Sequence, residues 1–322
     1  MAQLQRPLHL AFAVVIGFLV YPLSENRKLR WLDVLLAALS AFALGYVACH
    51  YDAITVRQTM VTPLSTLDII VGGLVIVFLL EITRRSVGWI MSAIAMVFIV
   101  YILVGPYLPG VLAHRGFSWV DLIDYQIFGL DGVYSIPISI SATYIVLFVI
   151  LGTLMEFTGT GDVIMDIGKA IAGRYRGGPA KVASISSALF GSISGSAAAN
   201  VYATGTFTIP MMKKIGYSPA FSGAVEAVAS TGGQLMPPVM GASAFLMAEL
   251  LGVPYIQVCK AALLPAILYY ISLFIVLDFE AARMGIKGMD REELPKVADI
   301  WPRLYLMIPL VLLIAILVRG FT

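Results

Sequence analysis

The fold is decided by one polar stretch, which reads Gly191-Ser192-Ile193-Ser194-Gly195-Ser196-Ala197-Ala198-Ala199-Asn200 and continues to Thr204-Gly205-Thr206. Of the 26 residues from Ala183 to Thr208, 19 are Ala, Gly, Ser, Thr or Asn, and none is charged. The chain around this stretch is apolar, since 60% of its 322 residues are hydrophobic and 12% are charged. Soluble domains carry about 25% charged residues, so the composition is typical of a membrane protein.

Lysines flank the polar stretch at Lys181 and at Lys213-Lys214, so the positive-inside rule places both of its ends on the cytoplasmic side. A segment that enters and leaves on one side is a re-entrant hairpin, which we expect over residues 182–212. Two arms of roughly 12 residues each reach about 18 Å, just past the centre of a bilayer of roughly 30 Å. The turn is expected near Ser194–Ala198. Close packing of ordinary helices is the alternative, because it also favours small residues.

A discontinuous helix is expected over residues 218–250. Ser218-Pro219 opens it, and Gly232-Gly233-Gln234-Leu235-Met236-Pro237-Pro238 interrupts it. The break lies roughly 20 Å from the cytoplasmic entry, which is also the depth expected for the hairpin tip. Two broken elements that meet at the midplane indicate the binding site of a secondary transporter. Their freed carbonyl and hydroxyl oxygens are suitable ligands for a hard cation such as sodium.

The remaining apolar runs predict an all-α polytopic membrane protein. Runs long enough to span the bilayer are 31–50, 67–83, 88–108, 135–157, 255–279 and 301–320, with 8–23 a shorter one. Of the 21 Lys and Arg residues, 15 lie in 24–30, 84–85, 158–181, 213–214 and 280–300. These segments are therefore predicted to be cytoplasmic and the N-terminus external. Segment 160–179 has the pattern of an amphipathic helix on the cytoplasmic interface, stopped by Gly177-Gly178-Pro179.

Three motifs resemble the membrane subunit of tripartite ATP-independent periplasmic (TRAP) transporters. They are Ser192-Ile193-Ser194-Gly195-Ser196, Thr204-Gly205-Thr206-Phe207-Thr208-Ile209-Pro210, and Glu226-Ala227-Val228-Ala229-Ser230-Thr231-Gly232-Gly233-Gln234-Leu235-Met236-Pro237-Pro238-Val239-Met240-Gly241. The resemblance is strongest to the branch that works with TAXI-type binding proteins and fuses the small and large membrane subunits. It implies sodium-driven uptake, usually of organic acids, delivered by a soluble periplasmic binding protein to a bacterial or archaeal inner membrane. It implies no enzymatic activity and no cofactor besides the coupling ion.

The resemblance also implies domains and site residues. Residues 1–114 would be a small-subunit-like four-helix scaffold, 115–134 a linker or outer loop, and 135–322 the first repeat of the large ion-binding subunit. The sodium ligands would be Ser192, Ser194, Gly195, Ser196, Asn200, Thr231, Gly232 and Gly233. The substrate would contact Ser196, Thr204, Gln234 and Pro237. The family builds its site from two inverted repeats, whereas residues 251–322 repeat neither motif. We therefore expect a truncated chain, or one that needs a second half.

Features of the sequence also suggest two other functions. A channel could line its pore with the same polar hairpin. An intramembrane aspartyl protease is suggested by Gly159-Thr160-Gly161-Asp162 and Tyr51-Asp52, but the predicted topology puts the two aspartates on opposite sides, where they cannot share acid and base roles. A net charge of +2 argues against nucleic acid as a partner.

Individual polar residues have competing interpretations. Glu226 could support ion coordination or carry a proton, or it could be a solvated carboxylate near the interface. Cys49 and Cys259 lack metal or disulfide spacing and are expected to be small packing residues. The three histidines and these cysteines cannot form a metal cluster.

Overall fold

A computed structural model describes residues 2–24, 27–50, 54 and 56–319, and the described chain is helical without a β-strand. Its α-helices are α1 (Ala2–Val20), α2 (Arg30–Cys49), α3 (Thr66–Ser86), α4 (Trp89–Val104), α5 (Trp119–Ile127), α6 (Ile136–Phe157), α7 (Thr160–Ala172), α8 (Gly178–Ser194), α9 (Ala197–Lys214), α10 (Pro219–Gly232), α11 (Ala242–Leu251), α12 (Tyr255–Met284), α13 (Val297–Ile300) and α14 (Ile308–Val318).

The helices confirm the predicted all-α polytopic fold. Within the described residues, 6 helices are long and apolar enough to cross a membrane. They are Arg30–Cys49, Thr66–Ser86, Trp89–Tyr107, Ile136–Phe157, Tyr255–Met284 and Arg291–Val318. Each matches one predicted run. The last contains 3₁₀ turns over Trp301–Met307, where Pro302 lacks the N–H of a regular helix.

The chain divides into two compact units, residues 1–143 and residues 144–322, and the boundary lies inside α6. In the first unit, Phe18, Leu44 and Val75 are fully buried in one core. Helix α5 also packs into this core through Ile123 and Ile127, both with no exposed surface. The segment 115–134, predicted as a linker or outer loop, therefore contains a packed helix.

The second unit is built around α8, whose buried positions follow one another with few exposed residues between them. Helix α7 buries an amphipathic face that includes Val163 and Ile164. It approaches α8 closely at Gly168, where an added Cβ would lie 2.4 Å from Ser186 Oγ. Small residues on both helices thus allow their backbones to come together, as in many membrane helix pairs.

Helices α8 and α9 form a helical hairpin, with its turn at Gly195 and Ser196. Gly195 ends α8 with φ +61°, a left-handed conformation that favours glycine. The Ser196 side chain then caps α9 by accepting a hydrogen bond from Ala199 N at 3.3 Å. The turn lies within the expected range, Ser194–Ala198. That both ends of the hairpin lie on one side of a membrane stays a prediction.

The hairpin arms are longer than expected. They contain 17 and 18 residues, so each is about 25–27 Å long at about 1.5 Å per residue. The estimate of roughly 12 residues per arm was wrong because the Gly177-Gly178-Pro179 motif was interpreted only as a helix stop. Pro179 lies in the first turn of α8, where its missing N–H leaves no hydrogen bond unmade.

The predicted discontinuous helix is present as α10 and α11. Ser218 caps α10 by accepting from Phe221 N at 3.2 Å. A 3₁₀ turn over Gly233–Leu235 follows, and regular helix resumes at Ala242. Pro237 and Pro238 cannot donate backbone hydrogen bonds, which explains why the helix does not continue through them.

Candidate functional site

The hairpin tip packs directly on the break between α10 and α11. A Cβ added to Gly191 would lie 2.2 Å from the Cα of Gly233, so the two backbones are in contact. A Cβ added to Gly195 would lie 1.9 Å from the carbonyl oxygen of Met240. No larger residue fits at these positions without a backbone shift. The structure thus brings together the two interrupted elements that the sequence predicts to meet.

Hydrogen bonds hold the same contact. Val239 N donates to Ser192 O at 3.2 Å, which joins the segment after the break to the end of α8. Asn200 is fully buried, and its Nδ2 donates across the hairpin to Ser187 O at 2.8 Å. An added Cβ on Gly233 would lie 2.9 Å from that amide nitrogen. Asn200 therefore ties both arms of the hairpin together beside the break.

A second polar cluster lies around Glu226 on α10, whose side chain has no exposed surface. Hydroxyl groups donate to its Oε1 from Thr204 at 2.5 Å, Ser230 at 3.1 Å and Ser187 at 3.4 Å. The Thr208 hydroxyl bonds to Oε2. An added Cβ on Gly205 would lie 3.1 Å from Glu226 Cγ, so a glycine on α9 makes room for the carboxylate.

Sequence reasoning misjudged the surroundings of Glu226. A solvated carboxylate near the interface was one interpretation, and it is wrong for this structure because the side chain is fully buried. The available signal was the spacing of Thr204 and Thr208, one helical turn apart, which puts both hydroxyls on one face of α9. Sequence alone could not show that α10 presents Glu226 to that face.

The predicted hairpin ligands lie at the tip with different exposures. Ser192 and Asn200 are buried, Ser194 and Gly195 are half-buried, and Ser196 is exposed. The Ser192 hydroxyl donates its proton to Leu189 O at 2.7 Å. Because that proton is used, the oxygen lone pairs stay available to a cation. Neutral oxygens of this kind are suitable for a weakly held monovalent ion.

The other predicted residues are less closely grouped. Thr231 is exposed and donates to Ala227 O at 2.7 Å. Gly232 packs on α12, where an added Cβ would lie 2.3 Å from Tyr269 Cε1. Gln234 is exposed and Pro237 half-buried. Of the glycines at the break, Gly233 is therefore the one that contacts the hairpin.

A groove of about 610 Å³ lies between α8 and α12 and is separate from the hairpin tip. Its walls are mostly apolar, and Lys181 and Asp278 line it as an ion pair with 2.5 Å between Nζ and Oδ1. Arg176 also pairs with Asp278, and this hydrogen bond raises the pKa of the guanidinium. The groove thus has the character of a crevice between helices that is lined by one salt bridge, with few polar groups for a solute.

The protease motifs do not form a site within the described residues. Tyr51 and Asp52 lie outside them. Asp162 lies in the first turn of α7, 66% of its side chain is exposed, and its carboxylate is 4.0 Å from Arg303. An exposed carboxylate beside an arginine has the environment of a surface ion pair.

Comparisons with known proteins identify the family. Residues 74–322 match the profile of the tripartite ATP-independent periplasmic transporter, DctM component. The chain is 30% identical over 175 residues to the C4-dicarboxylate TRAP transporter large permease protein DctM of Pseudomonas aeruginosa, covering 52% of this chain and 40% of the relative. It is 24% identical over 203 residues to the 2,3-diketo-L-gulonate TRAP transporter large permease protein YiaN of Escherichia coli, covering 63% and 46%.

An uncharacterized protein of Sinorhizobium fredii, y4mL, is 35% identical over 138 residues, covering 43% of this chain and 32% of the relative. In each of these comparisons the chain spans less than half the length of the relative. The profile match covers most of the chain and includes the hairpin and the helix break. The chain therefore belongs to the DctM-component family of tripartite ATP-independent periplasmic transporters, a family of transport proteins and not of enzymes.

Proposed function

We propose that the protein is the membrane component of a sodium-coupled secondary transporter in a bacterial inner membrane. The observation that carries this proposal is the contact between Gly191 at the hairpin tip and Gly233 at the helix break. Two interrupted helices that meet in this way expose backbone groups that no regular helix offers. Family membership supports a transporter in preference to a channel with the same polar lining.

Sodium is the coupling ion that the hairpin chemistry supports. Ser192, Ser194 and Ser196 present neutral oxygens, and carbonyl groups near Gly195 and Gly233 can complete an oxygen shell. The ion would be held at the tip and would stabilise the contact between the hairpin and the break. Asn200, Thr231 and Gly232 complete the proposed set. The substrate would contact Ser196, Thr204, Gln234 and Pro237.

The proposed solute is an organic acid delivered by a periplasmic binding protein of the TAXI type. Two relatives carry names that specify C4-dicarboxylate and 2,3-diketo-L-gulonate, both acids, which supports an anionic solute. The TAXI assignment rests on the sequence resemblance.

Uptake into proteoliposomes tests this function. The complete permease would be reconstituted with its binding protein, and uptake of labelled dicarboxylates would be measured with and without an inward sodium gradient. We expect saturable uptake that needs both sodium and the binding protein. Unitary conductance without either requirement would identify a channel instead.

Matched serine variants locate the ion site. Ser192 and Ser272 donate to the carbonyl three residues earlier at the same distance, 2.7 Å, but Ser272 is exposed on α12. Ser192→Ala should weaken the sodium dependence of uptake, whereas Ser272→Ala should leave it unchanged. Equal sodium dependence in both variants would place the ion elsewhere.

A further inference from the structure

Glu226 is a buried carboxylate whose described hydrogen-bond partners are all hydroxyl groups. They come from three helices, with Ser187 on α8, Thr204 and Thr208 on α9, and Ser230 on α10 itself. No Lys, Arg or His in the described residues forms an ion pair with it. A permanently ionised carboxylate without a counter-charge is costly in a low-dielectric interior. The hydroxyl cluster must therefore accommodate the Glu226 carboxyl group without a positively charged partner.

The hydroxyl groups on α9 have alternative acceptors, which permits two proton arrangements. Thr208 Oγ1 lies 3.0 Å from Thr204 O as well as bonding to Glu226 Oε2. Thr204 Oγ1 lies 2.8 Å from Asn200 O and 2.5 Å from Glu226 Oε1. When the carboxylate is ionised, both hydroxyls can donate to it. When it is protonated, its own O–H can donate to Thr208 Oγ1, and the Thr208 hydroxyl then donates to the backbone carbonyl of Thr204.

Both protonation states are thus satisfied by rotating hydroxyl protons, without displacing a heavy atom. Fixed donors such as backbone N–H groups would favour only the ionised state. A guanidinium or ammonium partner would also hold the carboxylate ionised. Hydroxyl groups are the partners that can act as donor or acceptor, and this site uses four of them.

The other titratable groups on the surrounding helices do not compete for this role. On α12, the Tyr270 hydroxyl donates to Ala229 O at 2.9 Å. On α8, Lys181 pairs with Asp278. On α9, Tyr202 is exposed, and Lys213 and Lys214 lie in the last turn. Glu226 is the sole ionisable side chain of α10.

We infer that Glu226 is a reversible proton-binding site between the hairpin and the broken helix. The role of this site in transport rests on the function proposed above. In that transporter, the proton on Glu226 would move together with the solute and with the sodium ion bound at the hairpin tip. The link to the tip is short. Thr204 Oγ1 lies 3.4 Å from Asn200 Oδ1, and Asn200 holds the two hairpin arms together.

Ionisation should tighten this contact. A carboxylate accepts stronger, charge-assisted hydrogen bonds than a neutral acid, so it draws α8 and α9 onto α10. Protonation weakens those bonds and eases separation of the hairpin from the helix break. The proton and the sodium ion would then act on the same pair of elements, which is the requirement for coupling between two sites.

Infrared difference spectroscopy tests the proton site directly, without transport. The purified wild-type protein would be titrated from roughly pH 4.3 to 10, the range between an ordinary glutamate and an ordinary tyrosine. We expect a carboxylic acid C=O band that shifts on ¹³C-glutamate labelling and disappears in Glu226→Gln. Glu249→Gln removes an exposed carboxylate at the end of α11 and should leave the band unchanged. If Glu226→Gln does not fold, Glu226→Asp would be measured in its place. In that variant the C=O band should move to a different frequency.

A wild-type band identical to that of Glu226→Gln across the titration would overturn the inference. Proteoliposomes containing a pH indicator separate this outcome from failure of the proposed function. Solute uptake accompanied by internal acidification in the wild type, and by none in Glu226→Gln, is expected. If the wild type shows sodium-driven uptake without acidification, the proton does not move with the solute, but the proposed transport function stands. If it shows no uptake at all, the proposed transport function is refuted.

Discussion

Gly191 and Gly233 touch through their backbones, because a Cβ added to Gly191 would lie 2.2 Å from the Cα of Gly233. These residues belong to α8 and to the 3₁₀ turn after α10, so the contact joins the hairpin to the broken helix. Its closeness requires glycine on both sides. The ion site proposed here depends on that contact remaining intact.

Gly191→Ala should separate the two elements. Overpacking of this kind costs roughly 1–3 kcal/mol. Gly223→Ala is the control, since Gly223 lies inside α10 and an added Cβ would meet nothing within 4 Å. It should stabilise the protein by roughly 0.4–1 kcal/mol through helix propensity and chain entropy. The free energy of unfolding of each variant would be measured in detergent micelles. Equal changes in the two variants would show that the Gly191–Gly233 contact is not tight.

Gly195→Ala should destabilise the hairpin turn more than the same change at Gly252. Both glycines end a helix with left-handed φ, +61° and +63°. Alanine in that conformation costs roughly 1–2 kcal/mol. At Gly195 the new methyl would also lie 1.9 Å from Met240 O, whereas Gly252 has open space. A difference between the two variants of less than about 1 kcal/mol would contradict the packing described here.

Thr208→Val should destabilise the Glu226 cluster by roughly 1–3 kcal/mol, because Oε2 loses its hydroxyl donor in a buried site. Valine keeps the shape of threonine, so packing is largely preserved. Thr206→Val changes an exposed hydroxyl on the same helix and should stay within about 0.5 kcal/mol of wild type. Thermal unfolding of the two variants side by side decides whether the hydroxyl matters through Glu226.

Asp278→Asn should lower the thermal midpoint more than Glu280→Gln, two residues further along α12. Asp278 pairs with Lys181, whose side chain is only 7% exposed, so the variant leaves a poorly solvated ammonium without its partner. Glu280 pairs with the largely exposed Arg283, and such surface pairs contribute little. The reverse order of midpoints would mean that Lys181 finds another acceptor.

Sequence patterns predicted the interruptions in the helices better than the surroundings of the side chains. Gly195 and Pro237-Pro238 disrupt helices by their own chemistry, so the turn and the break could be placed from sequence. Pro179 was ambiguous, because a proline after glycines can end one helix or begin the next. Glycine spacing could not show that Gly232 packs on Tyr269 while its neighbour Gly233 packs on α8. A helix rotates by about 100° per residue, and only tertiary contacts fix that rotation.

The burial of Glu226 was also beyond sequence reasoning. Its hydroxyl partners come from α8, α9 and α10, and the bond to Ser187 spans 39 residues. The helical period relates Thr204 to Thr208 and Glu226 to Ser230, but no local period relates residues on different helices. Sequence predicted a substrate contact for Thr204, and it could not show that the hydroxyls of Thr204 and Thr208 both bond to the Glu226 carboxylate.

Sodium-specific stabilisation of the purified protein tests the central claim most directly. Thermal unfolding would be measured with increasing sodium, with potassium replacing it to hold ionic strength constant. Sodium at about 100 times its dissociation constant should add about 2.7 kcal/mol, and potassium should not. Ser194→Ala should abolish this difference, and Ser272→Ala should retain it. Equal unfolding midpoints in sodium and potassium for the wild type would contradict a sodium site at the hairpin tip.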